Sequence, residues 1–225
     1  MKTSAVPKFW PIERKKRKFA IKPRGPFKKS LSIPVGVIIR DVLKLATTLR
    51  EVKSILNRNL VKINGKLVKK ENLAAGLMSI VTLGEENYRL LPSKKGLSIQ
   101  KIDNKETLVL SRIQSKTYVK GKVQLNLHDG NNIIIDKNDY KTGDVLVLEN
   151  NKIKDVLKFK KDAIAIITGG NNIGSTGKIQ DVIITKSPQE NLVIIEVGKE
   201  KLSIPKKYIF VIGEKKPVIS LGEEQ

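Results

Sequence analysis

Leu60-Val61-Lys62-Ile63-Asn64-Gly65-Lys66-Leu67-Val68 decides how the N-terminal half of the chain is read. Apolar and polar residues alternate on both sides of Asn64-Gly65, a dipeptide that accepts positive φ at both central positions of a tight hairpin turn. The stretch therefore predicts two short strands with Val61 and Ile63 on one face and Lys62 and Asn64 on the other. Downstream, after Lys69 and Lys70, Gly76-Leu77-Met78-Ser79-Ile80-Val81-Thr82-Leu83 predicts a partner strand. Upstream, Val37, Ile38, Asp41, Val42 and Leu45 predict a first helix with Arg40 and Lys44 on its edge. Thr48 to Glu51 then reads as a capping box, in which the Thr48 hydroxyl takes the Glu51 amide and the Glu51 carboxylate returns to the Thr48 amide.

The helix that starts there is two-sided. At 100° per residue, Leu49, Val52, Ile55, Leu56 and Leu60 fall on one arc, and Arg50, Lys53, Ser54, Asn57 and Arg58 on the opposite one. A basic outer arc is often only solvated, so the helix alone does not establish a partner.

Composition supplies the partner class. The chain has 225 residues, with 44 Lys+Arg against 22 Asp+Glu and a formal net charge of +22, which suits a ligand of dense negative charge. Residues 1–30 carry Lys2, Lys8, Arg14, Lys15, Lys16, Arg17, Lys18, Lys22, Arg24, Lys28 and Lys29 against the single acid Glu13. Pro7, Pro11, Pro23 and Pro26 break any periodicity there, so these residues are expected to be extended until a polyanion orders them. A solvated, import-like tail is the plain alternative. Phe9, Trp10, Phe19 and Phe27 between the charges favour nucleic acid, because bases offer faces for aromatic stacking. On this reading, deleting residues 1–30 weakens RNA binding and leaves the rest folded.

The absence of cysteine excludes disulfides, Cys-ligated zinc, iron–sulfur clusters and a thiol nucleophile. The longest apolar stretch, Leu31 to Ile39, is interrupted by Ser32, Pro34 and Gly36, so neither a membrane span nor an export signal is expected. The tail's prolines argue against a membrane-surface helix.

The second half reads as short strands: Leu108–Leu110, Lys122–Leu127, Ile133–Ile135, Val145–Leu148 and Val156–Phe159, with turns at Asp129-Gly130, Gly143-Asp144 and Asn150-Asn151. His128 is the only histidine and sits beside Asp129 and a glycine turn, which fits a hydrogen-bonded turn residue better than a base or a ligand. From Asp162 a new unit begins, with a strand, the loop Thr168-Gly169-Gly170-Asn171-Asn172-Ile173-Gly174-Ser175-Thr176-Gly177, a second strand, and further strands at Leu192–Val197, Lys201–Ile204 and Tyr208–Ile212. The loop is not a Walker phosphate loop. Asn172 stands five before Gly177, and Ile179 follows Lys178 where a magnesium-binding hydroxyl is required.

Several of these pieces carry resemblances. Two helices followed by the Val61–Lys66 hairpin resemble the small RNA-binding module named after ribosomal protein four, found also in pseudouridine synthases, tyrosyl-tRNA synthetases and a heat-shock protein. That resemblance implies RNA-facing roles for Arg50, Lys53, Arg58, Lys62, Asn64 and Lys66. The glycine-loop unit is similar to the KOW motif, which implies a small SH3-like β-barrel presenting Gly169, Gly170 and Asn171 to RNA or protein. The order of pieces resembles the archaeal and eukaryotic small-subunit ribosomal protein four family, e-type. The matching stretches are Val6–Trp10, Pro23–Lys28, Val61–Lys66, Ala75–Met78, Lys158-Phe159, Thr168–Asn171 and Tyr208–Gly213.

Phe9 departs from the histidine common there, and the chain ends soon after Leu221 without the long basic extension of eukaryotic members, which implies an archaeal-type, compact version. The family implies an α+β multidomain protein. Its expected parts are an extended basic tail (1–32), the RNA-binding module (33–92), a central β domain (93–160), a KOW-type barrel (161–215) and a C-terminal tail (216–225). It implies a non-catalytic constituent of the small ribosomal subunit in the cytoplasm, bound to the 5′ region of its rRNA and to neighbouring ribosomal proteins. No metal, cofactor or small-molecule substrate is expected. The tail contribution to RNA binding is assigned to Lys8, Trp10, Arg14, Lys15, Lys16, Arg17, Lys18, Lys22, Arg24, Lys28 and Lys29. An RNA-modifying enzyme would need a larger catalytic domain than the short strands can house, and a free regulator would bind RNA only transiently.

Overall fold

The computed structural model describes residues 1–103, 107–136, 139–149, 152–184, 190–198 and 200–220. The turn expected at Asn150-Asn151 and the last five residues of the 216–225 tail lie outside them. The protein is mostly antiparallel β-strand with few helices and several sheets, divided into two units: residues 1–91 with 95–107, and residues 92–94 with 108–225.

In the first unit, β1 (Ser32–Pro34) leads into one helical segment, α1 (Val35–Val37), continued by a π-helical turn over Ile38–Val42. α2 covers Leu49–Asn57. β2 (Val61–Ile63) and β3 (Lys66–Leu67) form the predicted hairpin, with Val61 and Ile63 buried and Lys62 exposed. The single strand expected after Gly76 is two: β4 (Ala74–Gly76) pairs with β1, and β5 (Ile80–Leu83) pairs with β2. The break falls at Met78, whose φ of 61° turns the backbone. Ser79 ties the kink, its amide donating to the Gly76 carbonyl at 3.1 Å and its hydroxyl accepting the Gly76 amide at 3.3 Å.

β6 (Glu86–Ser93) and β7 (Gly96–Ile102) complete a sheet in the order β3-β2-β5-β6-β7. The domain boundary expected at 93 is therefore corrected, because β7 belongs to the hairpin's own sheet. A β-meander adds its next strand to the nearest free edge, and β6 offers that edge here.

Residues 1–32 are not an extended tail. Val6 and Trp10 lie in the core, Trp10 with 2% of its surface exposed, and its indole N–H donates to the Ser32 carbonyl at 3.0 Å. Phe27 lies over Gly76 and Phe9 over Gly96, so closely that a Cβ on either glycine would overlap the ring. At Gly36 a Cβ would meet Ile21 Cδ1 at 2.7 Å. The backbone joins in as well: the Arg24 amide donates to the Asn72 carbonyl at 2.7 Å, and the Arg24 carbonyl accepts the Ala74 amide at 2.9 Å. The expectation failed because it asked whether this segment could build a core alone. It instead completes the core of residues 33–102, where side chainless positions leave room for its rings.

In the second unit, β8 (Val109–Val119), β9 (Lys122–Leu127), β10 (Asn132–Ile135), β11 (Val145–Glu149) and β12 (Lys152–Leu157) form a sheet in the order β10-β9-β8-β11-β12. Val123, Leu125 and Leu127 alternate into a cluster with Ile113, Leu146 and Leu148. A third sheet follows in the order β16-β15-β14-β13-β17, from β13 (Ile164–Ile167), β14 (Thr176–Ile183), β15 (Leu192–Val197), β16 (Glu200–Pro205) and β17 (Ile209–Gly213).

β17 ends that order, yet all five of its residues are buried, because it also packs against β11 and β12. Arg112 reinforces the junction, its guanidinium donating to the carbonyls of Lys207 at 2.8 Å and Ile209 at 3.0 Å. Burial lowers the pKa of this group from its ordinary value, but an arginine remains charged at any physiological pH.

Candidate nucleic-acid interface

The densest cationic segment is a closed loop. The Thr3 amide donates to the Lys18 carbonyl at 3.1 Å and the Ala20 amide to the Met1 carbonyl at 2.8 Å, while Lys2 and Phe19 form an antiparallel bridge. Arg14, expected to face RNA, instead points into this loop. Its guanidinium donates to the carbonyls of Pro7 at 2.7 Å, Val6 at 3.1 Å and Thr3 at 3.4 Å. The Thr3 and Pro7 carbonyls also accept the Val6 and Trp10 amides, both at 3.2 Å, so the guanidinium fork ties together three carbonyls of a proline-broken segment that cannot form a regular ladder.

Lys15, Lys16, Arg17 and Lys18 stay exposed around the loop. Glu13 hydrogen-bonds Lys16 at 2.9 Å, and that contact holds its carboxyl below the ordinary value. Lys8, Lys22, Arg24, Lys28 and Lys29 are likewise exposed. Trp10 is withdrawn as a stacking residue, since its ring is enclosed by protein.

The α2 surface follows the predicted arcs. Val52 and Leu56 are buried, and Arg50, Lys53, Ser54, Asn57 and Arg58 are exposed, with Lys53 3.6 Å from Glu71. Leu60 departs from the pattern at 47% exposed, because the helix ends at Asn57 and no longer carries it round to the core arc. The N-terminal cap forms as a variant: the Thr48 hydroxyl accepts the Glu51 amide at 3.3 Å, and the Glu51 carboxylate takes the Thr47 amide at 2.8 Å. That amide, with the Thr48 and Thr47 hydroxyls, holds the Glu51 carboxyl below its ordinary value.

On the hairpin, Lys62 and Lys66 are exposed. Asn64 is a clamp more than a contact residue. Its backbone amide donates to the Ile80 carbonyl at 2.9 Å, and its side-chain oxygen accepts the Ile80 amide at 2.8 Å. Its φ of 49° is the left-handed conformation that Asn tolerates. Leu67, 49% exposed beside Lys62 across the hairpin, adds apolar area that the alternation did not assign to this face.

In the second unit, the loop after β13 is tied at both ends. The Gly174 amide donates to the Ile167 carbonyl at 2.8 Å, and the Thr168 amide donates to the Tyr208 carbonyl at 2.7 Å. Gly169 is half-buried beneath the Tyr208 ring, so its lack of a side chain serves packing. Gly170, with φ of 91°, and Asn171 form the exposed tip.

His128 is a turn residue in a polar knot. Its Nδ1 accepts the Arg112 amide at 3.1 Å, its ring meets Phe210 edge-on at 5.4 Å, and its neighbour Asp129 accepts from Ser111 and Asn131. Among the described residues there is no group of three His, Cys, Asp or Glu that could hold a metal ion, and no helix is long and apolar enough to cross a membrane.

Together the sheets and the fixed cationic surfaces define a basic, multi-sheet β protein. Residues 84–156 match the profile of ribosomal family S4e. The chain is 41% identical to the small ribosomal subunit protein eS4 of Methanosphaera stadtmanae, over 98% of this chain and 95% of that one. It is 40% identical to the eS4 protein of Archaeoglobus fulgidus, over 98% and 97% of the two chains. The crystal structure of the 30S ribosomal protein S4e of Thermoplasma acidophilum superposes with a TM-score of 0.71 at 33% identity, covering 82% of this chain and 96% of that one. The chain belongs to the S4e family of small-subunit ribosomal proteins.

Proposed function

We propose that the chain is a non-catalytic constituent of the cytoplasmic small ribosomal subunit that binds the 5′ region of its rRNA, alongside neighbouring ribosomal proteins, and supports folding of that RNA. The observation that carries this reading is the closed loop of residues 1–20, which holds Lys15, Lys16, Arg17 and Lys18 outward on an ordered backbone. Preordered cations meet phosphates without the entropic cost of ordering a free arm, which suits a permanent assembly. A second surface comprises Arg50, Lys53, Arg58, Lys62 and Lys66, with the helices and hairpin acting as a ribosomal-protein-four-type RNA-binding module. The third sheet acts as a KOW-type, SH3-like barrel that offers Gly170 and Asn171 to RNA or to a protein neighbour. Because the A-form major groove is too narrow to read, recognition rests on phosphates, 2′-hydroxyls and unpaired bases.

The test is sedimentation of the native protein on sucrose gradients at two salt concentrations, with the Arg50/Lys53/Arg58→Glu triple variant beside it. Stoichiometric co-migration with small subunits is expected. The affinity for small-subunit RNA should fall with salt at a log–log slope of roughly −0.7 to −0.9 per neutralised phosphate. A triple variant that binds small-subunit RNA as the native protein does would remove α2 from the interface. A native protein that stays at the top of the gradient would refute the whole reading.

A further inference from the structure

Of the aromatic residues in the N-terminal segment, the fold uses all but one. Trp10 is in the core, Phe9 covers Gly96 and Phe27 covers Gly76, whereas Phe19 leaves 64% of its surface in solvent. An exposed phenyl ring is ordinary on a mobile arm, but here both sides of it are fixed. The Lys2–Phe19 bridge, the Lys18 carbonyl accepting the Thr3 amide and the Ala20 amide donating to Met1 hold its backbone in place.

Its surroundings are cationic in effect. Lys18 Nζ stands 5.8 Å from the ring centroid, and Arg17 is exposed next to it. The two nearby acids are already answered, Glu13 by Lys16 at 2.9 Å and Asp41 by both ends of the Arg40 fork at 2.9 and 2.7 Å. The depression beside the ring, edged by Ile12, Arg17 and Arg40, has a volume of about 30 Å³. That is room for only a few water molecules at most, so a planar partner lies on the ring and does not enter a pocket.

We propose that Phe19 is a stacking platform for one unpaired RNA base, with Arg17 and Lys18 on the flanking phosphates. The proposal rests on the RNA-binding reading above and assigns to Phe19 the role that Trp10 cannot fill. RNA is favoured over a protein neighbour because the exposed cations Arg17 and Lys18 flank the ring while the acids beside it, Glu13 and Asp41, are paired with Lys16 and Arg40, and because a base supplies both a flat π face and the adjoining anions.

The test compares the full-length protein with Phe19→Ala and Phe19→Trp on two probes at low salt. One is a single-stranded adenosine oligomer of about eight nucleotides, within the usual span of single-strand sites. The other is an abasic oligomer with the same number of phosphates. Phe19→Ala should weaken the adenosine oligomer roughly 5- to 150-fold and leave the abasic one unchanged, while Phe19→Trp should bind both as the native protein does. Equal loss on both probes means that the ring acts through loop shape or charge, and no loss on either means that it does not stack on a base and leaves it free for a protein neighbour. Both overturn the proposal while native binding to small-subunit RNA leaves the underlying reading intact. A native protein that binds neither probe nor small-subunit RNA refutes the underlying reading and the proposal with it.

Discussion

Replacing Trp10 by Ala tests whether the N-terminal segment is part of the fold. The indole retains 2% of its exposure. A ring of this size buries on the order of 200 Å², which at about 25 cal/mol/Å² amounts to ~5 kcal/mol as an upper bound. Allowing roughly 10–40% for burial already present in the unfolded chain leaves about 3–4.5 kcal/mol, in line with the 3–5 kcal/mol typical of truncating a large core aromatic. Trp10→Phe separates the hydrogen bond from the burial. It keeps most of the ring, removes the donor 3.0 Å from the Ser32 carbonyl, and should cost about 1–3 kcal/mol.

Trp10 is the only tryptophan in the chain, so intrinsic fluorescence in urea follows the first unit of the native protein alone. Circular dichroism follows the variants. By the same reasoning, deletion of residues 1–30 should destabilise the first unit, contrary to the outcome expected for a free arm. A native protein with the emission of a solvated indole, or a Trp10→Ala variant within about 0.5 kcal/mol of native, as surface substitutions are, would refute the docked segment.

Three further outcomes follow from the local geometry. Gly76→Ala should expel the Phe27 ring, losing about 1.5–3 kcal/mol of burial against roughly 0.5–1 kcal/mol gained by replacing a strand glycine; Phe27→Ala should then cost little in that background, and additive effects in a double-mutant cycle would contradict the contact. Asn64→Ala should cost about 1–3 kcal/mol by stranding the Ile80 amide, whereas Asn64→Asp keeps an acceptor and should hold thermal stability; equal losses would show that the clamp is not what matters.

The Glu51 carboxyl lies below its ordinary value of 4.5 in the fold. Its stabilisation of the α2 cap is therefore complete above that value and lost as pH falls through the lowered folded value. Protection of the first-turn amides of α2, taken relative to their intrinsic exchange rates at each pH, should fall over that acid range in the native protein and not in Glu51→Gln. Identical pH profiles would dismiss the cap.

The docked N-terminal segment changes how the basic composition acts. A free arm of eleven cations would be ordered only on binding and would forfeit affinity for that ordering. Here Arg14 is spent holding carbonyls and Trp10 holding the core, so fewer groups reach the solvent than composition counts. Among those that do, Lys15 to Lys18 stand on a closed loop. The same trade recurs in the glycine loop of the second unit, where Gly169 serves the Tyr208 ring while Gly170 and Asn171 stay exposed.

The features readable from the residues alone were those governed by neighbours in the chain. Asn64-Gly65 turns because two adjacent residues accept positive φ, Thr48 caps because its partner is three residues on, and Val123, Leu125 and Leu127 alternate because the pleat repeats every second residue. Contacts between distant residues could be decided only by the assembled fold. The seats for Phe9 and Phe27 lie at Gly96 and Gly76, the acceptor for Trp10 at Ser32, and the edge that takes β7 on β6. A charge count records how many cations the chain carries, while burial and backbone acceptors settle which of them can meet another molecule.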